Sequence, residues 1–190
     1  MDKVIITAAI CGAEVTREHT PHVPISAIEL AEEARRCMDA GASIIHLHVR
    51  KPDGSPTQEI KYFRETFIQI KDKCHELPII QPSTGGAVGM SFDERVAPLG
   101  LEPEMASLDC GTVNFGDEIF VNDLPLVKKF AHEMKKKEIL PELECFDLGH
   151  IHNAFILQKE GKLGDHLHFN FVLGLVGAMN GSGDSLFNTN

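Results

Sequence analysis

Short apolar runs alternate along the chain with longer stretches in which apolar residues recur at helical spacing. The β-branched run at 4–9 predicts a buried strand. A helix is predicted over 25–40. Pro24 and Ser26 fit its start, Glu29, Glu32 and Glu33 place acids early in it, and Gly41 fits its end. A second strand follows at 43–49, and Pro52-Asp53-Gly54 reads as a turn. The second helix, 58–74, carries Phe63, Phe67 and Ile70 on one face. Beyond it the pattern predicts strands at 78–81, 105–108, 139–145 and 167–173. Helices are predicted at 91–99 (capped by Ser91), 124–137 and 149–160, with a glycine-rich loop at 83–89.

Strands that alternate with helices imply right-handed βαβ units and a parallel sheet. A doubly wound open sheet and a closed barrel both satisfy that order. Polar residues recur at or just after strand ends, at Glu14, His46, His48, Ser83, Asp109, Asn114 and Glu144. In a barrel all strand ends converge on one face, whereas in an open sheet only those beside a switch point do. The expected fold class is therefore α/β, of the (β/α)8 TIM-barrel type. The pattern supplies six strands and five helices, and a barrel needs eight units and about 250 residues. The expectation is one (β/α)-barrel domain over 1–190 that is incomplete, with about six βα units present and its C-terminal units missing. Residues 177–190, rich in Gly, Ser and Asn, predict no further element.

Charge and composition narrow the partners. The formal charge is −10, with 43% hydrophobic residues, which argues against nucleic acid, whose phosphates need clustered cations. The one dense basic run, Lys135-Lys136-Lys137, falls where a helix ends and where cations complement its dipole. No apolar run reaches the roughly 18 residues of a membrane span. Met1-Asp2-Lys3 leads directly into the first strand without a signal-peptide layout. Five widely spaced cysteines suit reduced thiols, and so a cytoplasmic location.

His46-Leu47-His48 is the sharpest chemical signal. Residues two apart on a strand share a face, so two imidazoles at a strand end can chelate one metal. A third ligand is needed. Among the other histidines, His150 and His152 are candidates, while His166 and His168 lie at the start of their strand, where a structural role is expected. Ser83-Thr84-Gly85-Gly86 can present donors to a carboxylate or thioester oxygen. Glu14, Ser107, Asp109 and Asn114 would be aimed at the same cavity.

Taken together, Thr7-Ala8-Ala9-Ile10 through Gly12-Ala13-Glu14, His46-Leu47-His48-Val49-Arg50, Ser83-Thr84-Gly85-Gly86 and Asn114-Phe115-Gly116-Asp117 resemble the β-keto acid cleavage enzymes. The resemblance runs from the first strand to about Gly181. It implies a barrel, one zinc ion, and a homo-oligomer (tetramer). The implied reaction condenses a β-keto acid, such as 3-keto-5-aminohexanoate, with acetyl-CoA to give acetoacetate and a new acyl-CoA. His46 and His48 match the zinc-binding pair. Glu14, Ser83, Gly86, Ser107 and Glu144 match substrate-contacting positions, Ser107 standing where a well-known member of the family has threonine. The resemblance places a third zinc ligand, a glutamate, on a later strand, with a catalytic aspartate and a carboxylate-binding arginine nearby. All three are expected beyond Asn190. Two other readings stay open: an inactive truncated remnant of the family, and a zinc-dependent aldolase or hydrolase that uses no CoA.

Overall fold

The computed structural model describes residues 4–183. The first strand, β1 (Thr7–Ala9), leads through a loop to α1 (Ala27–Asp39), β2 (Ile44–Leu47), β3 (Val49–Arg50) and β4 (Pro56–Thr57). Then come α2 (Ile60–Lys73), β5 (Ile79–Pro82), α3 (Phe92–Arg95) and a 3-10 turn at Ala97–Leu101. The remaining elements are β6 (Met105–Asp109), β7 (Val113–Phe115), β8 (Glu118–Phe120), α4 (Leu124–Lys136), β9 (Leu140–Cys145), α5 (Leu148–Lys159) and β10 (His168–Phe171).

The helices begin where the sequence supplies caps. Ser26 Oγ accepts the Glu29 amide, while Glu29 Oε2 accepts the Ser26 amide at 2.8 Å and that of Ile25 at 3.0 Å. This reciprocal box satisfies donors that a helix start leaves open. Ser91 and Glu94 repeat it at α3. The expected helix at 91–99 divides there, because Pro98 has no N–H to continue an α-helical ladder and the chain tightens into the 3-10 turn.

Two three-stranded parallel sheets carry the architecture, in the orders β1-β2-β5 and β6-β9-β10. β5 and β6 are tied by Thr84, whose hydroxyl donates to Ser107 O at 2.7 Å and whose amide donates to Ser107 Oγ at 3.1 Å. The mixed α/β class with parallel strands is thus as expected. Among the described residues no hydrogen-bonded pairing joins β10 to β1. The first strand is shorter than its apolar run, since Val4, Ile5 and Ile6 are exposed. The expected strand at 43–49 is interrupted at His48, after which β3 turns away to pair antiparallel with β4. A second hairpin joins β7 to β8.

Helices pack over the sheets in two apolar clusters. Leu30, Ala31 and Ala34 of α1 meet Phe63 and Ile70 of α2 over Ile45 and Leu47. Val127, Phe130 and Met134 of α4 join Ala154 and Leu157 of α5 over Leu108 and Leu143. Each large side chain fully withdrawn from water here contributes about 1.5–3 kcal/mol. Lys135 and Lys136 close α4, and Lys135 Nζ donates to Gly161 O, so the basic run is a helix end tied to its neighbour. Residues 1–3, and the part of the 177–190 expectation beyond 183, lie outside the described residues.

Candidate active site

Strand register brings the polar residues together. His46 pairs with Gln81 and Ala9, Ser107 and His168 flank Glu142, and Asp109 and Asn170 flank Glu144. Paired residues of parallel strands share a face, and so do residues two apart on one strand. One face of the assembly is therefore polar. It encloses a cavity of about 820 Å³ lined by Glu14, His46, His48, Ser83, Gly86, Asp109, Glu142, Glu144, His168 and Asn170, with apolar residues such as Phe120 and Phe146.

The two histidines stand with ring centroids 5.3 Å apart. Burial, then the charges of His46 and Arg50, pulls the pKa of His48 down to about 3, so it is a neutral imidazole at pH 7. Nδ1 of His46 lies 2.7 Å from Gln81 Oε1. Ligand atoms of His46, Glu142 and Glu144 all lie within 4.8 Å of one another, close enough to share a metal ion. Neutral imidazoles beside carboxylates form a donor set that suits zinc.

The carboxylates are held in a graded network. Burial and the neighbouring Asp109 push Glu144 well above the usual carboxylate range. Asp109 is also raised by burial, but Arg95 opposes this from 3.3 Å. Of the two, Glu144 is raised the further, since Asp109 has the guanidinium beside it. Arg95 is 3% exposed. It donates to Thr84 O at 2.8 Å, Val121 O at 3.2 Å and Asn122 Oδ1 at 2.6 Å, and lies between the rings of Phe120 and Phe130. Glu142 accepts from Asn170 Nδ2 at 3.3 Å and lies 3.6 Å from His168 Nε2.

Glu14 sits exposed on the β1–α1 loop at the cavity wall. That loop is pinned by buried Arg50, which donates to Gly12 O and Val15 O at 2.6 Å each and to Gly54 O at 2.8 Å. Ser83 lines the cavity and its hydroxyl accepts the Gly85 amide at 3.1 Å. Gly86 has φ +65°, a backbone conformation that residues with a Cβ rarely adopt, so glycine suits this turn. Ser107 is placed differently from the other predicted contacts. It is fully buried and outside the cavity lining, and it braces Thr84 from below. Asn114 likewise falls outside the lining, exposed in β7.

His150, a candidate third ligand, is committed to the backbone. Its Nδ1 accepts the Phe146 amide and its Nε2 lies 3.2 Å from Thr112 O. His168, expected to be structural, lines the cavity. Three residues of the site went unread in the sequence: Glu142, Gln81 and Arg95. The spacing of Glu142 two residues before Glu144 was the one available signal for any of them.

Comparison with known proteins gives consistent results. The family model for beta-keto acid cleavage enzymes matches residues 3–190. A 3-keto-5-aminohexanoate cleavage enzyme of Acetoanaerobium sticklandii is 54% identical over 180 residues, covering 94% of this chain and 66% of that protein. One of the same name from Fusobacterium nucleatum is 55% identical over 176 residues, covering 92% and 64%. A 3-oxoadipate:acetyl-CoA acetyltransferase of Cupriavidus necator is 40% identical, covering 92% and 61%. The chain thus spans just under two thirds of the length of these curated relatives. A ternary complex of ObcA with a C4-CoA adduct and oxalate superposes with a TM-score of 0.70 at 23% identity, over 82% of this chain and 38% of that one, a likeness of fold. On the family match and these identities, the chain belongs to the beta-keto acid cleavage enzyme family.

Proposed function

We propose that this chain supplies the substrate-binding face of a zinc-dependent enzyme that condenses a β-keto acid with acetyl-CoA and splits the adduct into acetoacetate and a new acyl-CoA. We further propose that its six parallel strands are consecutive units of a (β/α) barrel within one domain, in a cytoplasmic homotetramer. The observation that carries the reading is the convergence of His46, His48, Ser83, Asp109 and Glu144 on one cavity, in a chain 54–55% identical to cleavage enzymes.

His46 and His48 would hold the metal, with Glu142 and Glu144 next to His46. Zinc, when bound, supplies Lewis acidity toward the keto and carboxylate oxygens of the substrate. Glu144, its carboxyl raised by burial and by Asp109, would in its protonated form donate a hydrogen bond to an oxygen that gains negative charge, as a buried neutral carboxylic acid can. The neighbouring Asp109 favours that protonated form. Ser83 offers its hydroxyl to the same region of the cavity.

The cavity lining includes Glu14, Asp109, Glu142 and Glu144 but, among the described residues, neither Lys nor Arg. Such a wall favours a cationic substrate, which supports an amino-β-keto acid such as 3-keto-5-aminohexanoate, its ammonium facing Glu14. The test compares acetoacetate release from acetyl-CoA with this substrate and with its uncharged 3-keto analogue. Glu14→Gln should raise KM for the amino substrate and leave the uncharged one unchanged. Equal effects on both would reject the role of Glu14, and product formation without acetyl-CoA would favour an aldolase or hydrolase instead.

A further inference from the structure

We propose that Gln81 is a positioning residue whose amide fixes the tautomer of His46, reserving Nε2 of that ring for a ligand in the cavity. The consequence for zinc rests on the metal-binding reading above, whereas the tautomer does not.

Gln81 sits on β5 directly across from His46 on β2. It is fully buried, and follows Ile79 and Ile80 in a strand that would accept another apolar residue. Its Oε1 meets His46 Nδ1 at 2.7 Å, yet its Nε2 has no hydrogen-bond partner. An unpaired buried donor carries a desolvation cost that a methionine of similar shape does not, and half-buried His46 can turn its freed N–H to the cavity. Fold stability therefore does not account for a glutamine here, and the contact with His46 does.

The direction of that contact sets the chemistry. A carbonyl oxygen only accepts, so its approach requires the imidazole proton on Nδ1. A neutral imidazole carries one such proton, which leaves the lone pair on Nε2. Without the amide oxygen, His46 is free to place its proton on either nitrogen and to rotate. Partners of this kind orient metal-binding histidines, and losing one typically weakens metal affinity about 10–100-fold.

The experiment uses the metal-free chain, labelled with 15N-histidine, at pH ~8, where imidazoles are neutral. Long-range 1H–15N spectra report each tautomer, and His46 is assigned by its absence in His46→Gln. The wild type should show proton on Nδ1. Gln81→Met should shift His46 toward Nε2–H, keep or raise the thermal midpoint, and weaken zinc binding by about 10–100-fold. Gln81→Glu, which keeps an acceptor, should retain the tautomer and bind zinc about as tightly as wild type. An Nε2–H tautomer in the wild type would overturn the proposal. So would a Gln81→Met chain that keeps the Nδ1–H tautomer, or one that loses stability, since the residue would then be structural. If the tautomer shifts as expected but no variant, wild type included, binds zinc, the positioning role stands and the metal reading fails.

Discussion

Replacing Arg95 by Met tests the buried charge network most directly. The guanidinium is nearly inaccessible and serves four acceptors: Thr84 O, Val121 O, Asn122 Oδ1 and Asp109 Oδ2. A methionine preserves much of the stem between Phe120 and Phe130 but satisfies none of them. Breaking a buried ion pair by removing one partner costs about 3–5 kcal/mol, chiefly because the other charge is left uncompensated. The orphaned carbonyls would add to this, though costs within one network do not sum. For a chain of this size each kcal/mol lowers the midpoint by about 2–4 °C, so Arg95→Met should melt about 6–20 °C below wild type. Calorimetry at neutral pH measures the loss. The double variant Arg95→Met with Asp109→Asn removes the stranded charge and should recover part of it. A loss below about 1 kcal/mol, or a double variant that shows simple additivity, would refute the claim that Arg95 and Asp109 stabilise one another.

Three further outcomes follow from the same geometry. On the proposed function, His46→Ala should abolish stoichiometric zinc binding together with acetoacetate formation, as metal analysis and a coupled assay on one sample would reveal. Glu144→Gln should lose activity but not stability: because burial raises the folded-state pKa of Glu144 above 4.5, its stability contribution is full below pH 4.5 and is lost as pH rises through the folded value. Denaturant titrations should therefore find the variant gaining on wild type as pH rises, and a constant difference would argue against a raised pKa. Glu29 behaves in the opposite sense. The amides of Ser26 and Ile25 lower its pKa to about 2, so its contribution is present above pH 4.5 and fades as pH falls through about 2. Glu29→Gln should cost less than about 1 kcal/mol at neutral pH, since this carboxylate is half exposed, and the gap to wild type should close in acid.

Much of this architecture could be read from the chain because parallel strands buried on both faces leave continuous apolar runs. The strands at 43–49 and 105–108 are mostly apolar, whereas 139–145 also carries Pro141, Glu142 and Glu144. The two hairpins did not announce themselves, since strands of two or three residues carry no periodicity; of Asn114-Phe115-Gly116-Asp117 the first two residues end β7 and the last two make the turn, with Gly116 at φ +64°. His46, His48, Ser83 and Glu144 were legible at strand ends. His168 lies at the start of its strand, and pairing with Glu142 is what sets it at the cavity. Arg95 lies in a short, charge-rich segment that reads as solvated surface. Only the tertiary placement of Asp109 and two phenylalanines makes it a buried hub.

The clamp that Arg50 places on the β1–α1 loop has a consequence for how specificity can vary. Its guanidinium grips main-chain oxygens of residues 12 and 15, so the loop is anchored independently of the side chain presented between them. Position 14 can thus be exchanged with little effect on the scaffold, and a library randomised there would vary the cavity wall while leaving the folding machinery of the protein untouched.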